Sequence, residues 1–567
     1  MSLENVVIQE LNRVMESYLP NEIHIENLLE RPKKSSFGDF SFPTFSLAKI
    51  KHKSPNEIAN EIVELLNFDL FRKINIVNGY INFFVLREKK SKELINEINE
   101  LKTRFGANDT GEGRKVTIDM SSPNIAKPMS MGHLRSTVIG NSLANIEKKC
   151  GYVPVKINFL GDWGTQFGKL LVAYNMWGKK EEVEKNPIET LLDLYVRYNK
   201  EAKTDERLND LGREMFKKLE DNDQEARKTW QWFREVSLER FNDVYNALNI
   251  NFDFYDGESF YNDKMEPVIK TLKSKGLLTE SQGAKVVDLS DEGLEKPALI
   301  IRSDGASLYI TRDLAAAIYR KEKYKSVKSI YVVGSEQKQH FTELRVVLKK
   351  MGYDWYSELV HVPFGLITFN GKKLSTREGR IILLDEVLEK SYKLALKQIK
   401  EKNPNLENKD EIAKQVGYGA VVFHDLKNDR LENFDFKLDE VVQFEGDTGP
   451  YVQYTNARAQ SILRKAKNIY IPEKNLKNIF DDDSVFDVIK LLDQYPHIVR
   501  QAEKNYEPSI IAKYAIQLAK GFNHYYKNVR ILVGDDGLYT RLQLVTAVSY
   551  VLQDSLHLLG VKAPTQM

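Results

Sequence analysis

The chain has 567 residues, of which 42% are hydrophobic and 29% charged, and its 83 basic and 81 acidic side chains give a formal net charge of +2. This length predicts three or four domains, and the near-neutral charge leaves nucleic acid binding open, because such binding depends on a local basic face. The sequence has no run of about 18 apolar residues, so we expect no membrane span. The single cysteine, Cys150, excludes an internal disulfide and a cysteine-based zinc cluster. We therefore expect a cytoplasmic protein that binds neither zinc nor a membrane.

The first 110 residues predict a small α+β domain. They begin with an amphipathic helical pattern, and a second, charged helical segment occupies 87–105. Between them, "KINIVNGYINFFVL" alternates well enough around Asn78-Gly79 to predict strands there. The Gly-rich stretch "GANDTGEGRK" then predicts a domain boundary near residue 110.

Residues 111–440 predict an α/β domain with parallel strands. The segment 115–120 is β-rich, apolar residues recur at helical spacing from Leu134 to Ile146, and 153–160 is again strand-like. A strand, loop, helix and strand in this order predict parallel strands joined by a right-handed crossover. Three later runs have the same strand-like character, at 298–303, 329–335 and 361–369.

Two further regions are rich in helical patterns. Charged helical sequence at 178–250 interrupts the α/β domain and predicts a helical insertion. From 441 to 567 strand signals nearly vanish, and long amphipathic runs predict an all-α C-terminal domain.

The loop "SSPNIAKPMSMGH" (121–133) lies between the first predicted strand and its helix. Ligands of open α/β sheets bind at this edge, and a helix N-terminus attracts phosphate. Gly132 permits a close approach to the backbone, while His133 and Ser130 offer hydrogen-bond donors. The alternative is a structural turn in which His133 only caps the helix.

A second polar loop, "GKKLSTREGR" (371–380), follows another strand-like run. It contains two lysines, two arginines and two hydroxyl side chains between glycines, a composition suited to clamping a polyphosphate. The candidate residues are Lys372, Lys373, Ser375 and Arg377. The alternative is a solvated charged turn.

Together the two loops resemble the ATP signatures of class I aminoacyl-tRNA synthetases, here "SMGH" and "KLSTR". Longer segments resemble arginyl-tRNA synthetases over nearly the whole chain, including "SSPNIAKPMSMGHLRST", "NFLGDWGTQFG", "SDGASLYITRDLAAAIYR", "GPYVQYTNARAQSIL" and "LHLLGVKAP". Two positions depart from the family pattern, since Ser130 replaces a histidine and Thr376 replaces a lysine.

The resemblance implies a multidomain α/β enzyme with a class I Rossmann-type parallel-sheet catalytic domain, an N-terminal tRNA-binding domain and an all-α anticodon-binding domain. It implies activation of L-arginine by ATP, with Mg²⁺, and transfer of the arginyl group to tRNA(Arg). His133, Gly132, Ser130 and Lys373 would carry the phosphate chemistry, and Lys127 would assist ATP binding.

The resemblance also assigns an arginine pocket. A guanidinium carries five donors in a planar fork, so its site needs carboxylates or other acceptors. The implied arginine-binding residues are Asn124, Glu258, Tyr309, Asp313 and Gln337. Taken singly, the acids are equally typical of a helix surface and the tyrosine of a core.

The C-terminal segment "GFNHYYKNVR" mixes aromatic and basic residues, a composition that suits unstacked bases. We expect Tyr525, Tyr526, Lys527 and Arg530 to contact tRNA, although Tyr526 also has the spacing of a core residue.

The resemblance implies a monomer whose N-terminal domain contacts the tRNA elbow. Two rival interpretations are another class I synthetase and a non-catalytic tRNA-binding paralogue.

Overall fold

The computed structural model describes residues 3–18, 25, 28–32, 37–302, 309–369, 372–373, 382–467 and 478–567, and of residues 372–373 it describes the backbone alone. Within these residues, no helix combines the length and the apolar character needed to cross a membrane.

The N-terminal region combines helices with an antiparallel sheet in the strand order β1–β3–β2. Its elements are Leu3–Tyr18 (α1), Phe40–Pro43 (β1), Phe45–Lys51 (α2), Pro55–Leu65 (α3), Phe71–Val77 (β2), Tyr80–Val85 (β3) and Arg87–Leu101 (α4). Asn78 and Gly79 both have positive φ angles, 52° and 78°, which form the two-residue turn between β2 and β3. The predicted α+β character is confirmed.

The central region alternates helices and strands. Its elements up to the end of the insertion are Lys115–Asp119 (β4), Met131–Lys149 (α5), Val153–Ile157 (β5), Thr165–Trp177 (α6), Lys180–Lys185 (α7), Pro187–Glu201 (α8), Glu206–Glu220 (α9) and Gln224–Ala247 (α10). Helices α7 to α10 confirm the predicted helical insertion.

The remaining elements of the central region follow the insertion. They are Met265–Ser274 (α11), Leu278–Ser281 (β6), Ala284–Val287 (β7), Ala298–Ile301 (β8), Tyr309–Tyr324 (α12), Lys328–Gly334 (β9), Lys338–Lys350 (α13), Leu359–Phe364 (β10), Ile367–Phe369 (β11), Lys372–Lys373 (β12), Leu384–Lys402 (α14), Lys409–Lys427 (α15), Phe434–Asp435 (β13) and Leu438–Val441 (α16).

Four described strands form the parallel sheet in the order β10–β9–β4–β5. From β4 the chain moves outward to β5, and from β9 it moves outward in the other direction to β10. The strand order therefore reverses between β4 and β9, and the loops that follow these two strands diverge. Such a reversal leaves a ligand-binding crevice at the carboxyl edge of the sheet.

Two strand-like runs take other positions. The run 298–303 contains β8, which pairs antiparallel with β7 in a separate sheet. Buried Ala298 and Ile300 alternate there with exposed Leu299. An antiparallel sheet typically exposes one of its faces to solvent in this way. The run 361–369 is divided at Gly365, where a Cβ atom would lie 2.7 Å from atoms of residues 431–433, so β10 and β11 belong to different sheets.

The regular elements of the described C-terminal region from 449 onward are all helices: Gly449–Ala466 (α17), Asp483–Asn505 (α18), Ser509–Asn528 (α19) and Leu538–Leu558 (α20). Helix α20 contacts the C-terminal half of α5. The Ser142 hydroxyl donates to the Leu558 carbonyl at 2.9 Å, and Lys149 forms an ion pair with Asp554 at 2.8 Å. Helix α5 therefore extends from the sheet crevice to the C-terminal domain.

Candidate active site

The N-terminus of α5 faces the crevice between β4 and β9 and contains the residues with the clearest geometry. The backbone N–H of Ser130 donates to Nδ1 of His133 at 3.0 Å, and the Ser130 hydroxyl lies 3.2 Å from the same nitrogen. Because Nδ1 accepts a backbone hydrogen bond, the neutral imidazole carries its proton on Nε2. The backbone of Ser130 thus orients the imidazole ring of His133.

Burial keeps His133 neutral. Burial, together with the positive charge of Lys127, lowers the pKa of His133 to about 4 against the opposing effect of the hydrogen bond with the Ser130 backbone. At neutral pH the side chain is therefore a hydrogen-bond donor without a formal charge. Lys127 is itself half-buried, which lowers its pKa, and its ammonium lies 3.4 Å from the Gln166 amide oxygen.

Gly132 is exposed and faces open space. A Cβ atom built on it would have the Ser130 hydroxyl, at 3.4 Å, as its nearest neighbour. Protein packing therefore does not require glycine here, although glycine inside a helix costs about 1 kcal/mol relative to alanine. The open position leaves room for a ligand to approach the first turn of α5.

The loop between β4 and α5 has an unusual backbone. Ser121, Ser122 and Ala126 have φ angles of +76°, +52° and +59°, and such conformations cost about 1–3 kcal/mol each in non-glycine residues. Hydrogen bonds from the surrounding elements hold this backbone: three of its N–H groups donate to Ser136, Asn158 and Ser237. The insertion helix α10, which contains Ser237, thus helps to shape the loop.

The segment that follows the basic loop pairs with this helix start. The backbone N–H of Met131 donates to the Ile382 carbonyl at 3.1 Å, and the N–H of Leu384 donates to the Met129 carbonyl at 3.0 Å. At the other end of the loop, the backbone of Lys372 and Lys373 forms β12, which pairs with β11. The side chains of these lysines, together with Ser375, Thr376 and Arg377, lie outside the described residues.

Glu258 begins a 3₁₀ turn close to the crevice. Burial raises the pKa of its carboxyl to about 7, while the Arg312 guanidinium, 3.6 Å away, lowers it. The turn is anchored by Asp162, whose carboxylate accepts from the backbone N–H of Ser259 at 2.8 Å and from Arg234 at 3.1 Å. Glu258 is thus a partly buried acid on a fixed support.

The other predicted arginine-binding residues surround the same edge. Asp313, on the first turns of α12, accepts from Nε2 of His340 at 2.6 Å, and this contact raises the pKa of His340 against the opposing effect of burial. Tyr309 begins α12 and is 69% exposed. Gln337 is exposed after β9, and Asn124 pairs with Gly161 after β5.

A buried ion pair at this edge escaped the sequence analysis. Asp119, the last residue of β4, accepts from Arg320 of α12 at 2.6 Å. The Arg320 guanidinium also lies over the rings of Phe159, Tyr261 and Tyr331 at 5.3–5.8 Å. The position of Asp119 at a strand end was the available signal, whereas nothing local indicated that Arg320 would be its partner.

The predicted tRNA-contacting residues divide into two groups. Tyr525 is fully buried in the helical core, so the prediction that it contacts tRNA is wrong: no face of its ring is available to a base. Tyr526, Lys527 and Arg530 are exposed and line a cavity of about 770 Å³, the C-terminal cavity, together with Tyr454, Arg458, Arg464 and Lys465. Arg458 lies between the rings of Tyr454 and Tyr526, at 4.9 and 5.0 Å.

The parallel sheet, its helical insertion and the pairing of 129–131 with 382–384 accompany a match to the catalytic domain of class I aminoacyl-tRNA synthetases. Three family models match the chain: "Arginyl tRNA synthetase N terminal domain" at residues 1–85, "tRNA synthetases class I (R), catalytic domain" at 95–438 and "DALR anticodon binding domain" at 452–567. The chain belongs to the arginyl-tRNA synthetase family.

Individual relatives agree with this assignment. The chain is 56% identical to an arginine–tRNA ligase of Lactobacillus acidophilus over 100% of both chains, and 58% identical to one of Lactobacillus johnsonii over 97% of both. The arginyl-tRNA synthetase of Thermus thermophilus has a similar structure, with a TM-score of 0.83, 26% identity and complete coverage of both chains.

Proposed function

We propose that this chain is an arginine–tRNA ligase that activates L-arginine with ATP and transfers the arginyl group to the 3′-terminal adenosine of tRNA(Arg). The observation that carries the proposal is the backbone pairing of residues 129–131 with 382–384. It joins the segment that follows the basic loop to the helix start that contains His133.

In the first step a carboxylate oxygen of arginine attacks the α-phosphate of ATP in line, and pyrophosphate leaves. The reaction needs position and positive or hydrogen-bonding groups where negative charge develops, rather than a protein nucleophile. His133 donates through Nε2 to a phosphate oxygen, Gly132 admits the phosphate to the first turn of α5, and Lys127 adds a cation. Lys373, with Lys372, Ser375 and Arg377, binds the departing pyrophosphate.

Arginine is recognised by acceptors around the crevice. Asp313 and Glu258 supply carboxylates for the guanidinium, Tyr309 and Gln337 line the site, and Asn124 holds the α-amino end. Lysine presents a compact ammonium instead of a planar fork, so some acceptors would remain unpaired, at about 1–3 kcal/mol for each buried group. This difference favours arginine without a second, editing reaction.

In the second step a terminal ribose hydroxyl of tRNA attacks the arginyl carbonyl, and AMP leaves. The ester bond forms as the mixed anhydride breaks, so the energy of ATP is retained in the aminoacyl-tRNA. The N-terminal domain, 1–110, contacts the tRNA elbow, and the C-terminal domain, 441–567, binds the anticodon through the C-terminal cavity. The catalytic domain between these boundaries, 111–440, acts on the acceptor end, and the enzyme works as a cytoplasmic monomer.

Mg²⁺ enters this scheme with ATP. The described residues gather no group of three or more His, Cys, Asp or Glu side chains suited to hold a metal ion. The groups placed at the phosphates, His133 and Lys127, are also donors rather than anionic ligands. Within the described ranges no carboxylate set is gathered for the ion, and phosphate oxygens and water would hold it, as they commonly hold magnesium.

The test is aminoacylation of tRNA(Arg) with each of arginine, lysine and the other amino acids in turn. We expect charging with arginine alone. Charging with a different amino acid would establish another class I synthetase. Binding of tRNA without any charging would instead favour the non-catalytic paralogue. In that case Ser130 and Thr376 would reflect loss of the two ATP-binding motifs.

A further inference from the structure

Arg135 is a buried arginine of α5 that follows His133 closely along the helix, and its side chain is 1% exposed. One of its guanidinium nitrogens, Nη1, donates to the carbonyl of Gly365 and to that of Glu432, both at 2.9 Å. Gly365 joins β10 to β11, and Glu432 lies just before β13. A single side chain therefore connects the first turns of α5 to the starts of two neighbouring strands.

Strand β11 leads from this junction toward the basic loop. It pairs with β13 on one side and, on the other, with β12, which is formed by the backbone of Lys372 and Lys373. The junction is closely packed, because the N–H of Gly365 donates to the Arg430 carbonyl at 2.8 Å and a Cβ atom at Gly365 would meet the backbone of 431–432 at 2.7 Å. The contacts of Arg135 therefore hold the base of β11 and β12 against α5.

The segments before and after the basic loop are thus attached to the same helix. After the loop, residues 382–384 pair with 129–131 at the helix start. Before the loop, the strand pair β11–β12 is held through Gly365 by Arg135. His133 lies between these two attachments along the chain, so its ring and both ends of the loop share one rigid support.

The positive charge of Arg135 is balanced by Asp425 of α15. Nε of Arg135 lies 3.4 Å from Oδ1 of Asp425, which is 2% exposed. Burial raises the pKa of Asp425 to about 6 against the opposing effect of the guanidinium, so the carboxylate is mostly ionised above pH 7. The rings of Phe434 and Phe364 lie 5.0 and 5.9 Å from the guanidinium. Because buried ion pairs often add little to stability, this one is better explained by the position that it fixes.

We propose that Arg135 is a positioning residue for the activation of arginine by ATP, because it holds β11 and β12 where the basic loop and His133 act on the same polyphosphate. This inference rests on the proposed function, in which His133 and Lys373 contact the phosphates. Arg135 is buried, so it acts through the backbone that it holds rather than by contact with a substrate. Its effect falls on the step that releases pyrophosphate and not on the transfer of the arginyl group.

The test compares two reactions of Arg135→Lys, both with saturating substrates: ATP–pyrophosphate exchange with tRNA(Arg) present, and AMP-dependent deacylation of arginyl-tRNA. In the second reaction an oxygen of the AMP phosphate attacks the arginyl carbonyl and the terminal ribose hydroxyl of the tRNA leaves, so pyrophosphate takes no part. Lysine keeps the charge but lacks the planar fork. We expect exchange to fall about 10–100-fold, as for a small misplacement of reacting groups, and deacylation to stay within about threefold of wild type. Equal losses in the two reactions, or unchanged exchange, would overturn the proposal.

Asp425→Asn provides a second variant if Arg135→Lys proves unstable in thermal unfolding. It keeps the shape of the side chain and removes the charge that faces Arg135, so it should repeat the selective loss of exchange to a smaller degree. Equal losses of exchange and deacylation in Asp425→Asn would also overturn the positioning role. Arginylation by wild type is measured alongside, because its absence would count against the proposed function, whereas equal losses with normal wild-type arginylation count against the role of Arg135 alone.

Arg541→Lys is the matched control. Arg541 is a buried arginine of α20 that donates to the carbonyls of Ile531 and Val533 at 2.9 and 2.8 Å and forms an ion pair with Asp535. Its contacts resemble those of Arg135 but lie within the C-terminal domain. The substitution should lower the Tm and leave the ratio of the two rates unchanged. A selective loss of exchange in Arg541→Lys as well would show that the effect does not depend on the attachment of β11 to α5, and would overturn the proposal.

Discussion

The start of helix α5 and the C-terminal cavity, the two proposed sites for phosphate-containing ligands, are built differently. At α5, His133 is partly buried, and its ring is fixed by the backbone of Ser130 at 3.0 Å. In the C-terminal cavity, Tyr526, Lys527 and Arg530 are exposed around a volume of about 770 Å³. A reacting centre requires fixed geometry, whereas a nucleic acid surface requires charge and stacking area. Substitutions at α5 should therefore change rates, and those in the cavity should change tRNA affinity.

The largest effect is expected for His133→Ala. Loss of one fixed donor to the transition state should lower the rate of aminoacylation about 10²–10³-fold, while tRNA affinity stays within about twofold. His557→Ala, which alters an exposed histidine of α20, is the matched control and should be neutral. Steady-state aminoacylation together with filter binding measures both quantities. Nearly intact activity in His133→Ala would remove the phosphate role of this residue.

Asp313→Asn should act on arginine binding rather than on tRNA. The change removes a charged acceptor but keeps the shape of the side chain, so we expect the KM for arginine to rise about 10–100-fold. His340→Gln tests the partner of Asp313 and should give a smaller increase, since it removes only the contact at 2.6 Å. An unchanged KM for arginine in Asp313→Asn would exclude this residue from the pocket.

Adjacent tyrosines separate binding from stability in the C-terminal domain. Tyr526→Ala should weaken tRNA(Arg) binding about tenfold, as expected for loss of one stacking platform, with little change in the free energy of unfolding. Tyr525→Ala empties a fully buried position and should lower the free energy of unfolding by about 3–5 kcal/mol. Fluorescence titration and chemical denaturation distinguish the two. Equal effects of both substitutions on tRNA affinity and stability would contradict this division.

The smallest expected effect is a dependence of arginine affinity on pH. Burial raises the pKa of Glu258 to about 7, so its carboxylate loses its charge as pH falls through neutrality. A cationic ligand binds the ionised form, and the Kd for arginine should therefore rise about five- to tenfold from pH 8 to pH 6. Glu258→Gln should bind arginine more weakly but with a flat profile over this range, measured by calorimetry. A profile that keeps its slope in Glu258→Gln would assign the titration to another group.

Local patterns were sufficient to predict much of the fold. Helical spacing identified α5 and the insertion, and the alternation around Asn78-Gly79 identified the hairpin, because these features depend on neighbouring residues. The sheet membership of 298–303 and the division of 361–369 at Gly365 depend on distant contacts with β7 and with residues 431–433. Sequence periodicity carries no information about such partners.

The candidate site shows the same limit. The position of His133 at a helix start followed from its motif, yet its contact with the Ser130 backbone required the folded geometry. Likewise, "GFNHYYKNVR" could not tell which tyrosine faces solvent, since one residue rotates a helix by about 100°. The pairing of 129–131 with 382–384 joins segments about 250 residues apart along the chain, which no single-sequence pattern indicates.

The most direct test of the account is ATP–pyrophosphate exchange with arginine, measured with and without tRNA(Arg), in wild type and His133→Ala. The account predicts exchange that depends on arginine in wild type under at least one of these conditions, and loss of most of it in the variant. Exchange supported by lysine or another amino acid, or no exchange by wild type under either condition, would contradict it.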